Sequence, residues 1–283
     1  LPNINQLIPD IYELVQSKGG WNVQVDYMAR RLGEQFNKSH EIRRGLRLSG
    51  LGPKCPRALW YSANHPELAE PLPPWAVIKY TYGHIIEALI IELAKSAGHD
   101  VQGEQDEIIL DGVMGHRDCV IDGAIVDVKS ASSLGFKKFK DKTIAQSDDF
   151  GYLDQLDAYV VGSVMANDPL VIEQEKGYNI AVDKTLGHLC LYEHYVRPVR
   201  IRERIKLYKE IVQQPHAPDC QCEVTQPDNT GNIILGTKAS YSPYKRHCFP
   251  GLKTILYSTG PKDFAKVVKW PMSKGQPLPE LCV

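Results

Sequence analysis

Gly115-His116-Arg117-Asp118-Cys119-Val120-Ile121-Asp122-Gly123-Ala124-Ile125-Val126-Asp127-Val128-Lys129 is the stretch on which the reading of this chain turns. The apolar residues on either side of Asp122-Gly123 predict two strands. An Asp-Gly pair between them is a strong signal for a tight hairpin. Alternation along a strand sends Asp127 and Lys129 to one face and Val126 and Val128 into the core. The hairpin folds Asp118 back beside Asp127. Two carboxylates and a lysine thereby converge on a plausible cradle for a hard divalent cation and a water.

Upstream of this stretch, residues 75–98 read as one long helix with Tyr82, Ile86, Leu89, Ile90 and Leu93 on its apolar face. Gly98 supplies its stop. Glu87 falls at the edge of the buried stripe, where a carboxylate is costly unless it is paired or bound to a metal. The alternative is a rim glutamate that reaches solvent. Residues 1–50 read as mostly helical: Ile8, Ile11, Leu14 and Val15 recur at helical spacing, Gly19-Gly20 stops that run, and a second segment covers 25–36. A third segment, 41–47, is basic, which suits either a solvated helix face or phosphate contact.

The strand period runs over 101–110, 113–121 and 124–129. After Lys129, basic residues interleave with Phe136 and Phe139 in what reads as a loop. Lys137, Lys138, Lys140 and Lys142 are candidate contacts for a nucleic-acid backbone, with an aromatic available for stacking; a plain solvated loop is the alternative. A helix over 149–165 places Tyr152, Gln155 and Tyr159 on one face. Strands over 178–183 and 188–196, a helix over 198–212, a loop-like stretch over 215–232 and a strand over 254–258 complete the reading.

Bulk properties narrow the class. At 283 residues, with 43% hydrophobic and 24% charged residues, the chain has the composition of a soluble globular protein. No apolar run approaches the ~20 residues of a membrane span. With no signal-peptide pattern at the start, a cytoplasmic protein is expected. A net charge of −1 does not by itself mark a nucleic-acid binder, but basic residues gather between Arg30 and Arg57 and after Gly236, and the middle is acidic. Seven cysteines without a secretion signal argue for burial or metal binding over a disulfide framework.

Chemically, carboxylates and a main-chain carbonyl suit Mg²⁺ or Mn²⁺, and the reaction suggested is hydrolysis of a phosphodiester. Asp118 and Asp127 are the expected direct ligands, with the Val128 carbonyl as a third. Lys129 is placed to hold the attacking water or to neutralise charge on phosphorus. Glu87 could reach across from its helix.

In this order, the motifs resemble those of the PD-(D/E)xK nuclease superfamily, in its RecB-like, lambda-exonuclease-like branch. Gly83-His84-Ile85-Ile86-Glu87 resembles the family's first helix, Gly115-His116-Arg117-Asp118 its G-x-x-D motif, and Asp127-Val128-Lys129 its D/E-x-K motif. Gln155-Leu156-Asp157-Ala158-Tyr159 resembles its Q-x-x-x-Y motif. The resemblance implies metal-dependent DNA cleavage, often exonucleolytic, in replication, recombination or repair. It also implies an α/β (α+β) restriction-endonuclease-like core, a mixed central sheet flanked by helices. Many such proteins are phage-encoded, which would place this one in the host cytoplasm.

Several relatives carry a [4Fe–4S] cluster held by one cysteine before the core and three near the C-terminus. Cys55-Pro56-Arg57-Ala58-Leu59-Trp60-Tyr61 matches the first part, but Ala239 and Ser242 stand where two thiolates are expected, and Cys248 remains. Either Cys55, Cys220, Cys222 and Cys248 form a rearranged site for a cluster or zinc, or the cluster is lost and packing joins the two ends; loss is the favoured expectation.

The expected layout is a helical extension over 1–50, a nuclease core with its cysteine segment over 51–260, and a basic tail over 261–283. DNA is the expected partner and no membrane is involved. The rivals to an exonuclease are a catalytically silent DNA-binding or assembly protein on the same fold, and a structure-specific endonuclease. Polarity, strand preference and oligomeric state are not readable.

Overall fold

The computed structural model describes residues 3–17, 21, 25–36 and 45–281. The elements follow in the order α1 (Leu7–Gln16), α2 (Val25–Phe36), α3 (Pro56–Asn64), α4 (Pro74–Ser96), β1 (Val101–Gln102), β2 (Glu107–Leu110), β3 (Val113–His116), β4 (Cys119–Ile121) and β5 (Ala124–Ala131). Then come α5 (Ser133–Lys140), α6 (Tyr152–Met165), β6 (Lys176–Asp183), β7 (Leu189–Tyr195), α7 (Pro198–Val212), β8 (Ile233–Ile234), α8 (Thr237–Ser240), α9 (Lys245–Cys248), β9 (Lys253–Tyr257) and β10 (Gly260–Lys266). Gly19, Gly20, residues 41–44 of the basic segment and Cys282 lie outside the described residues.

The chain divides into two compact units. One holds Arg47–Gly52, Pro73–Ile205 and the N-terminal helices. At its centre is a mixed five-stranded sheet in the order β1-β4-β5-β6-β7. β5 and β6 run parallel, with Asp127 opposite Asn179, and the other pairings are antiparallel. Parallel β5 and β6 need a crossover, which α5 and α6 provide. Ile90, Ile91, Leu93 and Ala94 of α4 and Leu7 and Ile11 of α1 pack with Cys119, Ile121, Val126, Val128 and Ile180 of the sheet. The fold is thus mixed α/β, a mixed central sheet flanked by helices, as the sequence predicts. Among the described residues no helix is long and apolar enough to cross a membrane.

The Asp122-Gly123 turn forms as expected. Ile121 pairs with Ala124, and both turn residues take positive φ, 51° and 80°, as a two-residue hairpin of this kind requires. A Cβ on Gly123 would sit 2.9 Å from the Ile172 side chain.

Four expectations are corrected. The strand over 101–110 breaks into β1 and β2, and that over 113–121 into β3 and β4; β2 and β3 pair with each other as a separate ribbon. The break lies where Arg117 turns inward, its guanidinium fully buried and bonded to the Gly103 carbonyl, Ser163, Asp106 and Asp168. Tyr82 is exposed on α4, whose core face is instead carried by Ala88, Ile90, Ile91, Leu93 and Ala94. The lysine-rich stretch is largely helical, as α5, capped by the Ser132 hydroxyl. Phe136 and Phe139 are buried, so neither is available to stack on a base.

The second unit holds Pro53–Leu72 and the chain from Lys206 onward. It contains α3, the short helices α8 and α9, and a three-stranded antiparallel sheet in the order β8-β10-β9. Leu235, Ala239 and Leu252 form a small core there.

Candidate active site and thiol cluster

β5 sets the site. Its alternation buries Val126 and Val128 and turns Asp127 and Lys129 to the opposite face. Lys129 Nζ lies 2.5 Å from Asp127 Oδ2 and donates to Gln155 Oε1 at 2.9 Å. Gln155 Nε2 in turn donates to the Tyr159 hydroxyl at 2.9 Å. The Lys129 ammonium also sits 4.9 Å from the centre of the Tyr152 ring. The three residues predicted to share a helix face therefore all reach the β5 site, in the sequence Asp127–Lys129–Gln155–Tyr159. Gly115 permits the close packing of that face: a Cβ there would lie 2.9 Å from the Tyr159 ring and 2.7 Å from Leu48.

Asp118 reaches the same place from the end of β4. Its Oδ2 accepts the Val128 N–H at 2.8 Å. Burial, followed by the charges of Asp127 and Glu87, pushes the Asp118 carboxyl well above the ordinary range; Lys129 and the Val128 N–H oppose the shift. Burial also raises Asp127, against the pull of Lys129 and Asn179. Burial pulls the Lys129 ammonium down, but Asp127 and Asp118 more than offset this, and it stays charged with a raised pKa. Burial likewise pushes the Tyr159 phenol up, so it remains a neutral donor or acceptor.

The site is short of positive charge. Two carboxylates, Asp127 buried and Asp118 half-buried, share one ammonium, and Asp127 Oδ1 is buried with no hydrogen-bond partner among the described residues. An unpaired buried carboxylate oxygen costs free energy, and a hard cation with oxygen ligands removes that cost. The donor set at Asp118 and Asp127 thus fits Mg²⁺ or Mn²⁺. Glu87 is more committed. Its Oε1 accepts from Arg31 at 3.1 Å and Gln105 at 2.9 Å, while Oε2 lies 3.7 Å from His84. Glu87, Asp118 and Asp127 do not bring three ligand oxygens within 4.8 Å of one another.

Sequence reasoning missed Asn179, whose amide donates to Asp127 Oδ2 at 3.2 Å, and the Arg31 and Gln105 partners of Glu87. Strand register could have placed Asn179, because it faces Asp127 across the parallel pair. Nothing local marks Arg31. The lysines predicted to meet nucleic acid lie on or just after α5. Lys137, Lys140 and Lys142 are exposed, whereas Lys138 donates to the Ser147 carbonyl at 3.0 Å and lies 3.9 Å from Asp149. Phe150 is an exposed aromatic, 49% accessible and stacked on Tyr152 with ring centres 5.6 Å apart.

In the second unit, Cys55, Cys220, Cys222 and Cys248 bring their sulfurs within 4.8 Å of one another. Cys55 and Cys248 are 4.0 Å apart. The Gln221 N–H donates to Cys55 Sγ at 3.3 Å and the Cys222 N–H to Cys220 Sγ at 3.5 Å. Hydrogen bonds from Cys222 and Cys248 hold the Cys55 thiol well below its usual range. The expectation favoured loss of this site, with packing alone joining the ends; the four thiols nevertheless converge, in an arrangement able to hold a metal.

No protein-family profile matches the chain, and none of the curated proteins does. Among solved structures, one described as SSO0001 is 14% identical with a TM-score of 0.40, covering 79% of this chain and 95% of that one. Another, an alkaline exonuclease (LHK-Exo) from Laribacter hongkongensis, is 11% identical with a TM-score of 0.37, covering 67% of this chain and 91% of that one.

Proposed function

We propose that this protein is a Mg²⁺- or Mn²⁺-dependent deoxyribonuclease of the RecB-like, lambda-exonuclease-like type, hydrolysing DNA phosphodiesters from strand ends. The observation that carries the reading is the oxygen-rich centre at Asp118 and Asp127, with an unpartnered, buried Asp127 oxygen and a lysine held in line by Gln155 and Tyr159. A hard cation bound there would supply polarisation of the scissile phosphate and a water of lowered pKa. Asp118 and Asp127 would hold the cation, with the Val128 carbonyl. Glu87 would support it from α4, its carboxylate aligned by Arg31 and Gln105. Lys129 stays protonated between the carboxylates and stabilises charge on the phosphoryl oxygens. Gln155 fixes the Lys129 ammonium, and Tyr159 fixes Gln155. Lys137, Lys140 and Lys142 meet backbone phosphates along the strand that leads to the site.

Labelled linear single- and double-stranded DNA and a covalently closed circle, incubated with Mg²⁺ or Mn²⁺, test this. Linear DNA should be degraded to short products and the closed circle spared. Asp127→Asn and Lys129→Met should each lose at least a hundredfold in rate while keeping the wild-type circular dichroism spectrum. Cleavage of linear DNA by both variants at the native rate would refute the site. Nicking of the circle would replace strand-end action with internal cutting, and metal-independent binding without cleavage would mark a DNA-binding protein.

A further inference from the structure

We infer that the four thiols of the second unit hold a single tetrahedral Zn²⁺ and not the four-iron cubane that the sequence resemblance implies. The argument is one of size. Sulfurs that all lie within 4.8 Å of one another bound a space whose centre is at most about 2.9 Å from each, since a tetrahedron's edge is about 1.63 times its centre-to-corner distance. Zinc bonds sulfur at about 2.3 Å, which corresponds to sulfur–sulfur edges of about 3.8 Å; Cys55 and Cys248 already stand at 4.0 Å. A cubane interposes an iron and a shell of sulfide between each cysteine and the centre. It holds its cysteine sulfurs roughly 6 Å apart. One ion fits the observed quartet with a small contraction; a cubane would require all four sulfurs to move outward.

The frame around the quartet resists that expansion. Cys55 caps the start of α3, and the chain carrying Cys220 and Cys222 is tied to that helix by side chains that are not themselves ligands. Arg57 donates to the Pro218 carbonyl and Trp60 to the Gln214 carbonyl, each at 2.8 Å, and Asn64 donates to the Val212 carbonyl at 2.9 Å. On the other side, the Tyr61 ring packs against Tyr244 and His247, with centres 6.0 and 4.9 Å apart, which fixes α9 and Cys248. Only one residue separates Cys220 from Cys222, so the two sulfurs leave the chain close together, suited to two edges of one small ion. The backbone N–H groups on Cys55 and Cys220 are the outer hydrogen bonds that steady thiolate ligands. Binding would release the thiol protons to solvent and involve no electron transfer, so the site is structural: it clamps α3, the 212–222 chain and α9 together.

The test takes the full chain, expressed with both iron and zinc available and purified anaerobically. The expected preparation is colourless, with about one zinc per chain and neither iron nor acid-labile sulfide. Cobalt(II) exchanged for the zinc should show the intense visible bands of a tetrahedral thiolate site. Cys222→Ser and Cys248→Ser should each weaken zinc retention against a chelator at least tenfold, while Cys190→Ser, outside the quartet, should not. About four irons and four sulfides per chain would overturn the inference. So would a brown cluster that assembles in preference to zinc when ferrous iron and sulfide compete with it, and so would a chain that binds neither metal under reducing conditions. None of these readouts depends on nuclease activity, so failure here and failure of the proposed function are separately visible.

Discussion

At the residue scale, the site balances stability against chemistry. Asp118 is half-buried beside a second carboxylate, and its pKa is raised first by burial and then by Asp127 and Glu87. A group whose folded pKa exceeds its unfolded value destabilises the native state when ionised. The penalty is full above the folded pKa and fades as pH falls toward the ordinary carboxylate range, because the native state then takes up a proton that the unfolded chain does not. Asp118→Asn should therefore raise the melting temperature of cation-free protein at pH 8 by several degrees, and the advantage should shrink at pH 5. The Val128 N–H keeps an acceptor in this variant, since an asparagine retains one side-chain oxygen. Adding Mg²⁺ at pH 8 should stabilise the wild type and leave the variant unmoved. Melts in chelator at the two pH values check both statements, and an Asp118→Asn protein less stable than wild type at pH 8 would contradict them. The relay predicts a gradation as well. Gln155→Leu removes the acceptor that positions Lys129 but not the ammonium itself, so kcat should fall about tenfold to a hundredfold with KM nearly unchanged. Lys129→Met should fall further. Equal losses in the two variants would mean that Gln155 does more than orient the lysine.

At the element scale, the position of Gln155 depends on where α6 starts, and one residue before the helix sets that. Asp148 Oδ1 accepts the N–H of Gly151 at 2.9 Å and of Tyr152 at 3.0 Å, and Oδ2 accepts that of Leu153 at 2.8 Å. These are donors that a helix start otherwise leaves unmatched. Asp148→Ala should cost about 1–2 kcal/mol of stability, as loss of a capping side chain does. It should also lower cleavage by loosening Gln155, although Asp148 itself touches no substrate. Denaturant titration and rate measurement on the same sample separate the two effects, and full activity alongside reduced stability would show that the helix start does not govern the site. The same elements show what the sequence could reveal. The β4–β5 hairpin, the Asp127/Lys129 face and the Tyr152-Gln155-Tyr159 row follow from short-range periodicity and turn chemistry, and all three are present. The split of the outer strands was hidden because Arg117 looks like a surface residue until its partners Asp106, Ser163 and Asp168 are brought to it from afar. Phe136 and Phe139 were misread for the same reason: an alternating basic and aromatic stretch suits a loop or an amphipathic helix, and only packing against Leu153 and Tyr192 selects the helix. The thiol quartet joins residues 193 positions apart, Cys55 and Cys248; the sequence offers these four as one of two readings, and no local pattern chooses between them.

At the scale of the whole molecule, 33 basic residues against 34 acidic ones leave no net field to draw in a polyanion. Affinity for DNA must then come from local groups, and it should be modest and steeply cut by salt. The lysines on and after α5 are the nearest such groups in sequence to the D-x-K strand, and they are unequal. Lys137, Lys140 and Lys142 are exposed, whereas Lys138 already engages the Ser147 carbonyl and lies near Asp149. Each phosphate contact contributes about 0.9 to the slope of log affinity against log salt on duplex DNA. Replacing Lys137, Lys140 and Lys142 by alanine should thus flatten the slope by up to about 3, weaken binding most at low salt and leave the chemical step at saturating DNA almost intact. Lys138→Ala should change the slope by less than any one of the other three. Binding isotherms of a cleavage-inactive Asp127→Asn background, taken over a range of salt concentrations, measure this directly. A slope untouched by the triple replacement would move the DNA path away from α5 and onto another basic stretch of the chain, and an effect of Lys138→Ala as large as the others would mean that its bond to Ser147 yields to phosphate.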